Sequence, residues 1–322
     1  MVVTDGLVLG IDVGGGKLRA ALADQESILA ELTEPTRQGS PRELIGQMVG
    51  IAGRLSAQVG RGGQHPGSVL RSVGISVPTY VDHATERLGL GPGVPGLAGA
   101  DVMPLLSAAF GVPVAIENDA NLAALAEGEL GLAIGIQNYV AVLLSVGIGM
   151  GIVMDGQLRR GWRGRAGEIG RLPLALDPSL LDTTGPTDFE GMVAGPTIRT
   201  RVTRAALSDR TSTLSNAHTF EDAARAARAG DAAAAHLVRG EARLIATGLA
   251  AVIAVLDPQL IVLCGELGSV PSLVGPVRDE LGAIVAQPPE IAASKLGHRG
   301  ELMGALVVAR HAARTAALAG RS

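Results

Sequence analysis

Two glycine-rich segments have the residue types and the spacing that suit phosphate binding. IDVGGGK ends an apolar run near the start of the chain, and GIGMG follows the apolar run YVAVLLSV. A tight turn without Cβ atoms lets backbone N–H groups approach an anion closely. Each turn alone is equally an ordinary hairpin turn, but two in corresponding places favour anion binding. The glycines concerned are Gly14, Gly15, Gly16, Gly147, Gly149 and Gly151.

A third segment, VAIENDANLAALAE, places polar side chains where an apolar strand is expected to meet a helix. It carries Glu117, Asn118 and Asp119. A carboxylate at such a strand-to-helix switch can take a proton from a substrate hydroxyl. The same residues equally suit a helix cap, because Asn and Asp accept from the first N–H groups and the helix dipole favours acids there. The residues alone leave both interpretations open.

The elements around these segments alternate between strand and helix, which is typical of α/β proteins. The first 35 or so residues predict a series of strands, and the return of strand, glycine turn and strand after Asn138 suggests an internal duplication. GIGMG is expected to be the turn of the second hairpin. Further expectations are a helix from Pro41 to about Val59, a loop over Gln58–Ser68, a helix over Asn121–Leu130, mostly loop over residues 155–200 and a long helix over Asp231–Leu256.

The composition of the 322 residues excludes several classes of protein. Hydrophobic residues make up 47% and charged residues 18%, which excludes a disordered chain. A net charge of −4 and an aromatic share of 2% provide neither a basic field nor a stacking platform for nucleic acid. The single cysteine excludes an intramolecular disulfide, a zinc site with two or more cysteines and an iron–sulfur cluster.

No export or membrane signal is found in the sequence. The segment MVVTDGLVLG has no positively charged start, and Asp5 interrupts it. The longest apolar stretch, Leu244–Leu256, has about 13 residues, whereas a membrane-spanning helix needs about 20. We therefore expect a cytoplasmic protein that contacts no membrane.

Several motifs resemble those of the ROK family (repressor, open reading frame, kinase) of sugar kinases and sugar-responsive regulators. IDVGGGK is similar to the first phosphate motif of the family, ENDANLAALAEGELG to its E-N-D-A-N signature and GIGMGIVMDGQL to its second phosphate motif. RAGEIGR and FEGMVAGPTI resemble two further family segments, and DPQLIVLCGELG resembles its adenosine motif. The matches occur in family order from residue 8 to about 270.

The resemblance implies an actin-like, ribonuclease-H-like α/β fold with two lobes and a cleft between them. We expect residues 1–134 to form an N-terminal lobe and residues 135–322 a C-terminal lobe. The last helix is a candidate to pack back on the N-terminal lobe. The resemblance also implies transfer of phosphate from MgATP to a sugar hydroxyl. That reaction needs mainly positioning and charge neutralisation.

The positions of residues within these motifs imply individual roles. Asp119 would be the general base on the sugar hydroxyl, and Asp12 would help to hold Mg²⁺ through water. The residues that would bind the other sugar hydroxyls are Asn118, Glu168 and Glu190. The residues that would line the nucleotide are Gly14, Gly15, Lys17, Gly147, Gly149, Gly151 and Gly265.

The chain departs from the family pattern at the zinc site and in the phosphate motifs. Arg171 stands where zinc-containing members have a histidine, and the stretch that follows has no cysteine, so we expect no zinc site. Gly16 and Val146 replace threonines that donate hydroxyls to phosphate. Cys264 replaces the first glycine of the adenosine motif, and we expect it to be a small buried apolar residue.

A group of arginines surrounds Trp162 in one segment: Arg159, Arg160, Arg163, Arg165 and Arg171. One interpretation is a solvated basic loop. The other is that Arg171, next to the sugar site by its position in the family motif, binds an anionic substituent of the substrate.

Two functions remain open on the sequence. The retained carboxylates and most phosphate glycines favour an ATP-dependent sugar kinase. The lost threonines and zinc motif favour a non-catalytic sugar-binding protein, either a pseudokinase or a regulator module. The first phosphate motif starts near residue 8, so we expect no N-terminal winged helix and no direct binding of nucleic acid. The expected partners are a sugar, a nucleotide and a second copy of the chain in a homodimer.

Overall fold

The computed structural model describes residues 6–61, 69–89, 97, 101–173, 188–208 and 219–320. The chain forms two compact units. The first unit comprises Met1–Glu129, Arg160–Ala166 and Arg299–Ser322, and the second comprises Leu130–Arg159 and Gly167–His298. The first unit thus takes in a short segment from the middle of the chain as well as the C-terminal end.

Strands and helices alternate along the described residues, as expected for an α/β protein. The strands are β1 (Leu7–Val13), β2 (Lys17–Ala23), β3 (Ile28–Pro35), β4 (Leu70–Val77), β5 (Val81–Asp82), β6 (Arg87–Leu88), β7 (Val114–Asn118), β8 (Tyr139–Leu144), β9 (Ile148–Met154), β10 (Gln157–Leu158), β11 (Leu260–Cys264) and β12 (Glu290–Ala293). The helices are α1 (Pro41–Arg61), α2 (Met103–Phe110), α3 (Asp119–Leu130), α4 (Phe189–Val193), α5 (Gly195–Ser208), α6 (Phe220–Arg228), α7 (Ala232–Leu256), α8 (Gly265–Gly268), α9 (Pro271–Gly282) and α10 (Gly300–Ala319).

The first unit is built on a five-stranded sheet in the order β3-β2-β1-β4-β7. The first three strands form antiparallel hairpins, whereas β4 and β7 run parallel to β1. The strand β1 is buried along its whole length, because helices cover both faces of the sheet. Helix α1 contributes Met48 to the hydrophobic core that includes Ile11 of β1, and α10 contributes Leu306 to a second core that includes Val8.

Helix α10 lies unusually close to the sheet where it crosses β4. A Cβ atom on Gly74 would lie 1.9 Å from the carbonyl oxygen of Ala305 and 3.0 Å from a methyl group of Val308. Glycine at this position therefore allows the C-terminal helix to pack directly on the backbone of β4. Gly74 thus serves close packing rather than a turn.

The second unit contains a sheet in the order β10-β9-β8-β11-β12. Here too an antiparallel hairpin, β8–β9, is followed by two strands that run parallel to β8. The order and the directions of the strands match those of the first sheet. The predicted duplication of hairpin-containing sheets is therefore confirmed.

Several predicted element boundaries are wrong. Helix α1 continues to Arg61, which removes the first part of the expected loop, and residues 62–68 lie outside the described residues. Helix α3 begins at Asp119 rather than at Asn121. In the second hairpin the turn is Ser145–Gly147, because Gly149 and Gly151 pair with β8 inside strand β9.

The segment 155–200, predicted to be mostly loop, contains α4 and the start of α5. Pro196 lies in the first turn of α5, where its missing N–H costs no hydrogen bond. The buried face of α5 consists of Ile198, Val202 and Ala206, which are spaced four residues apart. Arginine and threonine residues between them obscure this period in the sequence.

Among the described residues, no helix combines the length and the apolar composition needed to cross a membrane.

Candidate active site

The junction between β7 and α3 brings Asn118 and Asp119 to the start of a helix. Asn118 Oδ1 accepts a hydrogen bond from the backbone N–H of Asn121 at 3.1 Å, so Asn118 caps the helix. Asp119 Oδ1 accepts from its neighbour Ala120 N at 2.7 Å and from Asn118 Nδ2 at 3.0 Å. The capping interpretation thus applies to Asn118. These bonds fix the orientation of the half-buried Asp119 carboxylate.

Glu117, the residue before this pair, is buried and makes four hydrogen bonds. Its Oε1 accepts from Asn121 Nδ2 and from the Asn118 backbone N–H, both at 2.9 Å. Its Oε2 accepts from Arg160 Nε and lies 3.3 Å from His83 Nε2. Burial alone would raise the pKa of Glu117, but the hydrogen bond with His83, the charge of Arg160 and the hydrogen bond from Asn121 lower this pKa to about 2.

The first glycine turn lies in the same unit and connects β1 to β2. The Gly14 N–H donates to the Lys17 carbonyl at 2.9 Å, which closes the turn. Asp12, near the end of β1, is buried, and its Oδ2 accepts from Nε and Nη2 of Arg19 at 2.9 and 2.7 Å. An ion pair therefore holds the carboxylate that the sequence assigns to magnesium.

Glu301, at the start of α10, adds a second carboxylate beside this ion pair. Its Oε2 lies 3.8 Å from Arg19 Nη2 and has no hydrogen-bond partner among the described residues. Burial, and next the negative charge of Asp12, raise the pKa of Glu301 to about 7. Two acidic groups thus share one arginine next to the first glycine turn.

In the second unit, Glu190 lies against the turn of the second hairpin. Its Oε2 accepts from the Ile148 backbone N–H at 2.9 Å, and a Cβ on Gly147 would lie 3.1 Å from the same oxygen. The Gly195 N–H donates to the Ser145 carbonyl at 2.8 Å, which ties the start of α5 to this turn. The turn and the helix pair α4–α5 therefore form one local structure.

Arg171 lies beside Glu190, as part of a short 3₁₀ turn, Ile169–Arg171. Its Nη1 is 3.1 Å from Asp188 Oδ2, and its Nη2 is 3.7 Å from Glu190 Oε1. Glu168 precedes the turn and is exposed. The second unit thus brings together Arg171, Glu190 and the turn at Gly147.

Gly265 follows strand β11 with a φ of +82°, and a Cβ there would lie 2.7 Å from the Leu144 carbonyl oxygen. The backbone at this position is therefore restricted to glycine. Cys264, just before it, is buried, which confirms the expectation of a small apolar residue.

The arginine-rich segment is only partly a solvated basic loop. Trp162 is 91% exposed, but Arg160 binds Glu117 and the Arg165 guanidinium lies 4.4 Å from the centre of the Tyr80 ring. Sequence reasoning missed both pairings, as well as His83, Arg19 and Glu301. The group of arginines signalled only the pairings of Arg160 and Arg165, and it did not identify their partners.

The described residues contain no group of three or more His, Cys, Asp or Glu side chains arranged to hold a metal ion. Residues 174–187, which contain most of the stretch without cysteine that follows Arg171, lie outside the described residues.

Comparison with known proteins identifies relatives along the whole chain. Residues 8–312 match the ROK family. The chain is 27% identical over 320 residues to a glucokinase of Streptomyces coelicolor, covering 95% of this chain and 98% of that protein.

Two solved structures share the fold. A ROK hexokinase from Thermus thermophilus has a TM-score of 0.72 and 28% identity, covering 96% of this chain and 99% of that one. A ROK family glucokinase from Streptomyces griseus, in complex with glucose and AMPPNP, has a TM-score of 0.76 and 25% identity. The match covers 95% of this chain and 100% of that one. These similarities confirm the predicted actin-like α/β fold class and the predicted enzyme class, a sugar kinase. The chain belongs to the ROK family.

Proposed function

We propose that this protein transfers the γ-phosphate of ATP to a hydroxyl of a hexose or a hexose derivative, with Asp119 as the general base. The observation that carries the proposal is the fixed carboxylate of Asp119, whose Oδ1 accepts from Ala120 N and Asn118 Nδ2 at the start of α3. Donors to a carboxylate favour its charged form, which is the form that accepts a proton. A fixed orientation also reduces the entropy lost when the hydroxyl is aligned for transfer.

Other residues would bind the rest of the sugar. Asn118 lies next to Asp119, and we propose that it hydrogen-bonds a neighbouring hydroxyl, as Glu168 and Glu190 would in the second unit. Arg171 is a candidate to bind an anionic substituent of the substrate. However, its Nη1 already lies 3.1 Å from Asp188, so an anionic substrate would have to compete with that carboxylate.

The glycine turns fit the phosphates of a nucleotide. The first turn exposes Gly15, Gly16 and Lys17, and the residues proposed to line the nucleotide also include Gly14, Gly147, Gly149, Gly151 and Gly265. The carboxylates of Asp12 and Glu301 are the oxygen ligands that Mg²⁺ prefers. Asp12 would hold Mg²⁺ through water, and the metal would neutralise charge on the phosphates when bound.

The experiment is ADP release measured with a panel of hexoses, amino sugars and N-acyl sugars. We expect sugar-dependent turnover in the wild type and a loss of about 10²- to 10⁴-fold in kcat for Asp119→Asn, which keeps the shape but removes the base. Asp155→Asn is the matched control, because Asp155 is an exposed carboxylate on the β9–β10 turn. Equal turnover in the two variants would refute Asp119 as the base.

The second candidate is a non-catalytic sugar-binding protein, which the replacement of both phosphate-motif threonines by Gly16 and Val146 favours. It predicts thermal stabilisation by one sugar, no effect of ATP and no release of ADP. Turnover with any sugar on the panel excludes it.

We further propose, from the family resemblance, a homodimer in the cytoplasm. Sedimentation equilibrium of the purified protein tests the dimer, and fractionation of the producing cell tests its location.

A further inference from the structure

The loop Arg160–Ala166, here called the arginine loop, belongs to the first unit although its neighbours in sequence belong to the second. It closes on itself through a hydrogen bond of 3.0 Å from Ala166 N to the Arg160 carbonyl. The loop contacts the residues that surround Asp119. The sequence motifs assign no role to Arg160.

Three contacts attach the arginine loop to the rest of the unit. Arg160 Nε donates to the buried Glu117 carboxylate. The Arg165 guanidinium stacks on Tyr80, and its Nη2 donates to the Tyr80 hydroxyl at 2.6 Å. Gly164 has a φ of +72°, and a Cβ there would lie 2.0 Å from the Val81 carbonyl oxygen, so the loop backbone packs directly on β5.

These contacts are connected to Asp119 through short hydrogen-bonded steps. Glu117 binds Arg160 with one oxygen, and with the other it accepts from Asn121 Nδ2 and the Asn118 N–H. Asn118 in turn donates to Asp119 Oδ1 at 3.0 Å and to the Thr79 carbonyl at 3.3 Å. Thr79 is adjacent to Tyr80, on which Arg165 is stacked. The loop therefore supports Asn118 from two sides.

The charges of this network indicate why Arg160 is needed. Glu117 is 3% exposed, and a buried carboxylate without a cationic partner is strongly unfavourable. His83 is the other cationic candidate, but it is charged only when protonated, whereas arginine carries its charge at every working pH. Arg160 thus keeps Glu117 ionised and its two oxygens aligned towards Asn118 and Asn121.

We propose that Arg160 and Glu117 are positioning residues for the reaction of Asp119: the arginine loop holds the Glu117 carboxylate, which orients Asn118 and thereby the general base. This inference rests on the proposed function, because it assigns the pair a role in that reaction. Arg160 and Glu117 act through Asn118 and need not touch the substrate.

The test compares Arg160→Ala with Arg163→Ala, an identical change at an exposed arginine of the same loop. We expect Arg160→Ala to lower kcat/KM for the sugar about 10²-fold, since a small misplacement of a reacting group costs about that much. The KM for ATP should stay within about twofold of the wild type. Arg160→Lys should recover part of the loss, and Arg163→Ala should match the wild type.

The pH profile separates positioning from a loss of folded protein. Removal of a cation near the junction should shift the acidic limb of kcat/KM to higher pH in Arg160→Ala, which a smaller folded fraction would not do. The proposal is overturned if Arg160→Ala and Arg163→Ala give the same kinetics. It is also overturned if Arg160→Ala lowers kcat/KM but leaves its pH profile unchanged, and Arg160→Lys recovers none of the loss in kcat/KM.

A measurement without turnover keeps this inference separate from the proposed function. Hydrogen exchange of the backbone amides of Ala120 and Asn121 should be faster in Arg160→Ala than in Arg163→Ala, because their acceptors on Asp119 and Asn118 lose support. Equal exchange rates overturn the role of the loop even if the wild type is an active kinase. If the wild type is inactive with every sugar, the proposed function fails, and with it the catalytic role of the pair, while exchange still reports on the loop.

Discussion

Arg19 binds a single oxygen of Asp12, Oδ2, through both Nε and Nη2, at the point where β1 approaches the first glycine turn. The Asp12 carboxylate is buried and depends on this partner, the more so because a second carboxylate oxygen, Glu301 Oε2, lies 3.8 Å from Arg19 Nη2. Arg19→Gln should therefore lower the free energy of unfolding by about 2–4 kcal/mol in a urea titration.

Arg54→Gln provides the control for that change. Arg54 pairs with Glu34 on the surface, where its side chain is 53% exposed, and such pairs contribute less than about 1 kcal/mol. If Arg19→Gln and Arg54→Gln lower the free energy of unfolding by similar amounts, Asp12 does not depend on Arg19.

Gly16→Thr should introduce a hydroxyl donor in the first glycine turn, for which we propose phosphate binding. A Cβ on Gly16 meets no atom within 4 Å, and the residue is exposed, so the position is open to a side chain. A hydrogen bond from a hydroxyl to a charged phosphate contributes about 1.5–3 kcal/mol, and we expect kcat/KM for ATP to rise about tenfold or more.

Gly16→Val is the matched control, because valine has the shape of threonine without its hydroxyl. Val146→Thr tests the second turn in the same way at a side chain that is 71% exposed. If threonine and valine at position 16 give the same kinetics, the turn does not contact phosphate through this residue.

Gly74→Ala should destabilise the protein strongly. The added Cβ would lie 1.9 Å from the Ala305 carbonyl oxygen, so α10 would have to move away from the sheet, at a cost of about 2–4 kcal/mol in the free energy of unfolding. Gly53→Ala, in an open part of α1, should instead stabilise by about 0.5–1 kcal/mol. Chemical denaturation of both variants checks the contrast, and tolerance of Gly74→Ala would contradict the close packing.

Glu117 should contribute to the pH dependence of stability. Its pKa falls from 4.5 to about 2 on folding, so the folded state binds the proton more weakly than the unfolded chain does. Its contribution, about 3 kcal/mol, is therefore complete above pH 4.5 and is lost as the pH falls towards 2. The difference in unfolding free energy between the wild type and Glu117→Gln, measured from pH 7 to pH 2.5, should shrink accordingly. A constant difference would contradict the shifted pKa.

Local patterns in the sequence determined much of the architecture. Apolar runs that end in glycines predicted the hairpins β1–β2 and β8–β9, because strand formation and turn formation depend on neighbouring residues. The same kind of signal identified the junction at Asn118 and Asp119. The predicted start of α3 at Asn121 is wrong because both Asn118 and Asp119 suit a cap in the sequence, and the hydrogen bond from Asn121 N identifies Asn118 as the one that caps the helix.

The pairing of charged groups depends on the tertiary fold. Arg160 and Glu117 are 43 residues apart, and the Ser72 hydroxyl donates to the carbonyl of Ala309 across 237 residues. No local pattern records such pairs, since they depend on where the chain returns after folding. Neighbouring residues alone thus predicted the hairpin strands and the strand-to-helix junction that carries Asp119, whose role as a base stays a proposal. The fold decided how the Asp119 carboxylate is held, because burial of Glu117 required a cation that a distant loop supplies.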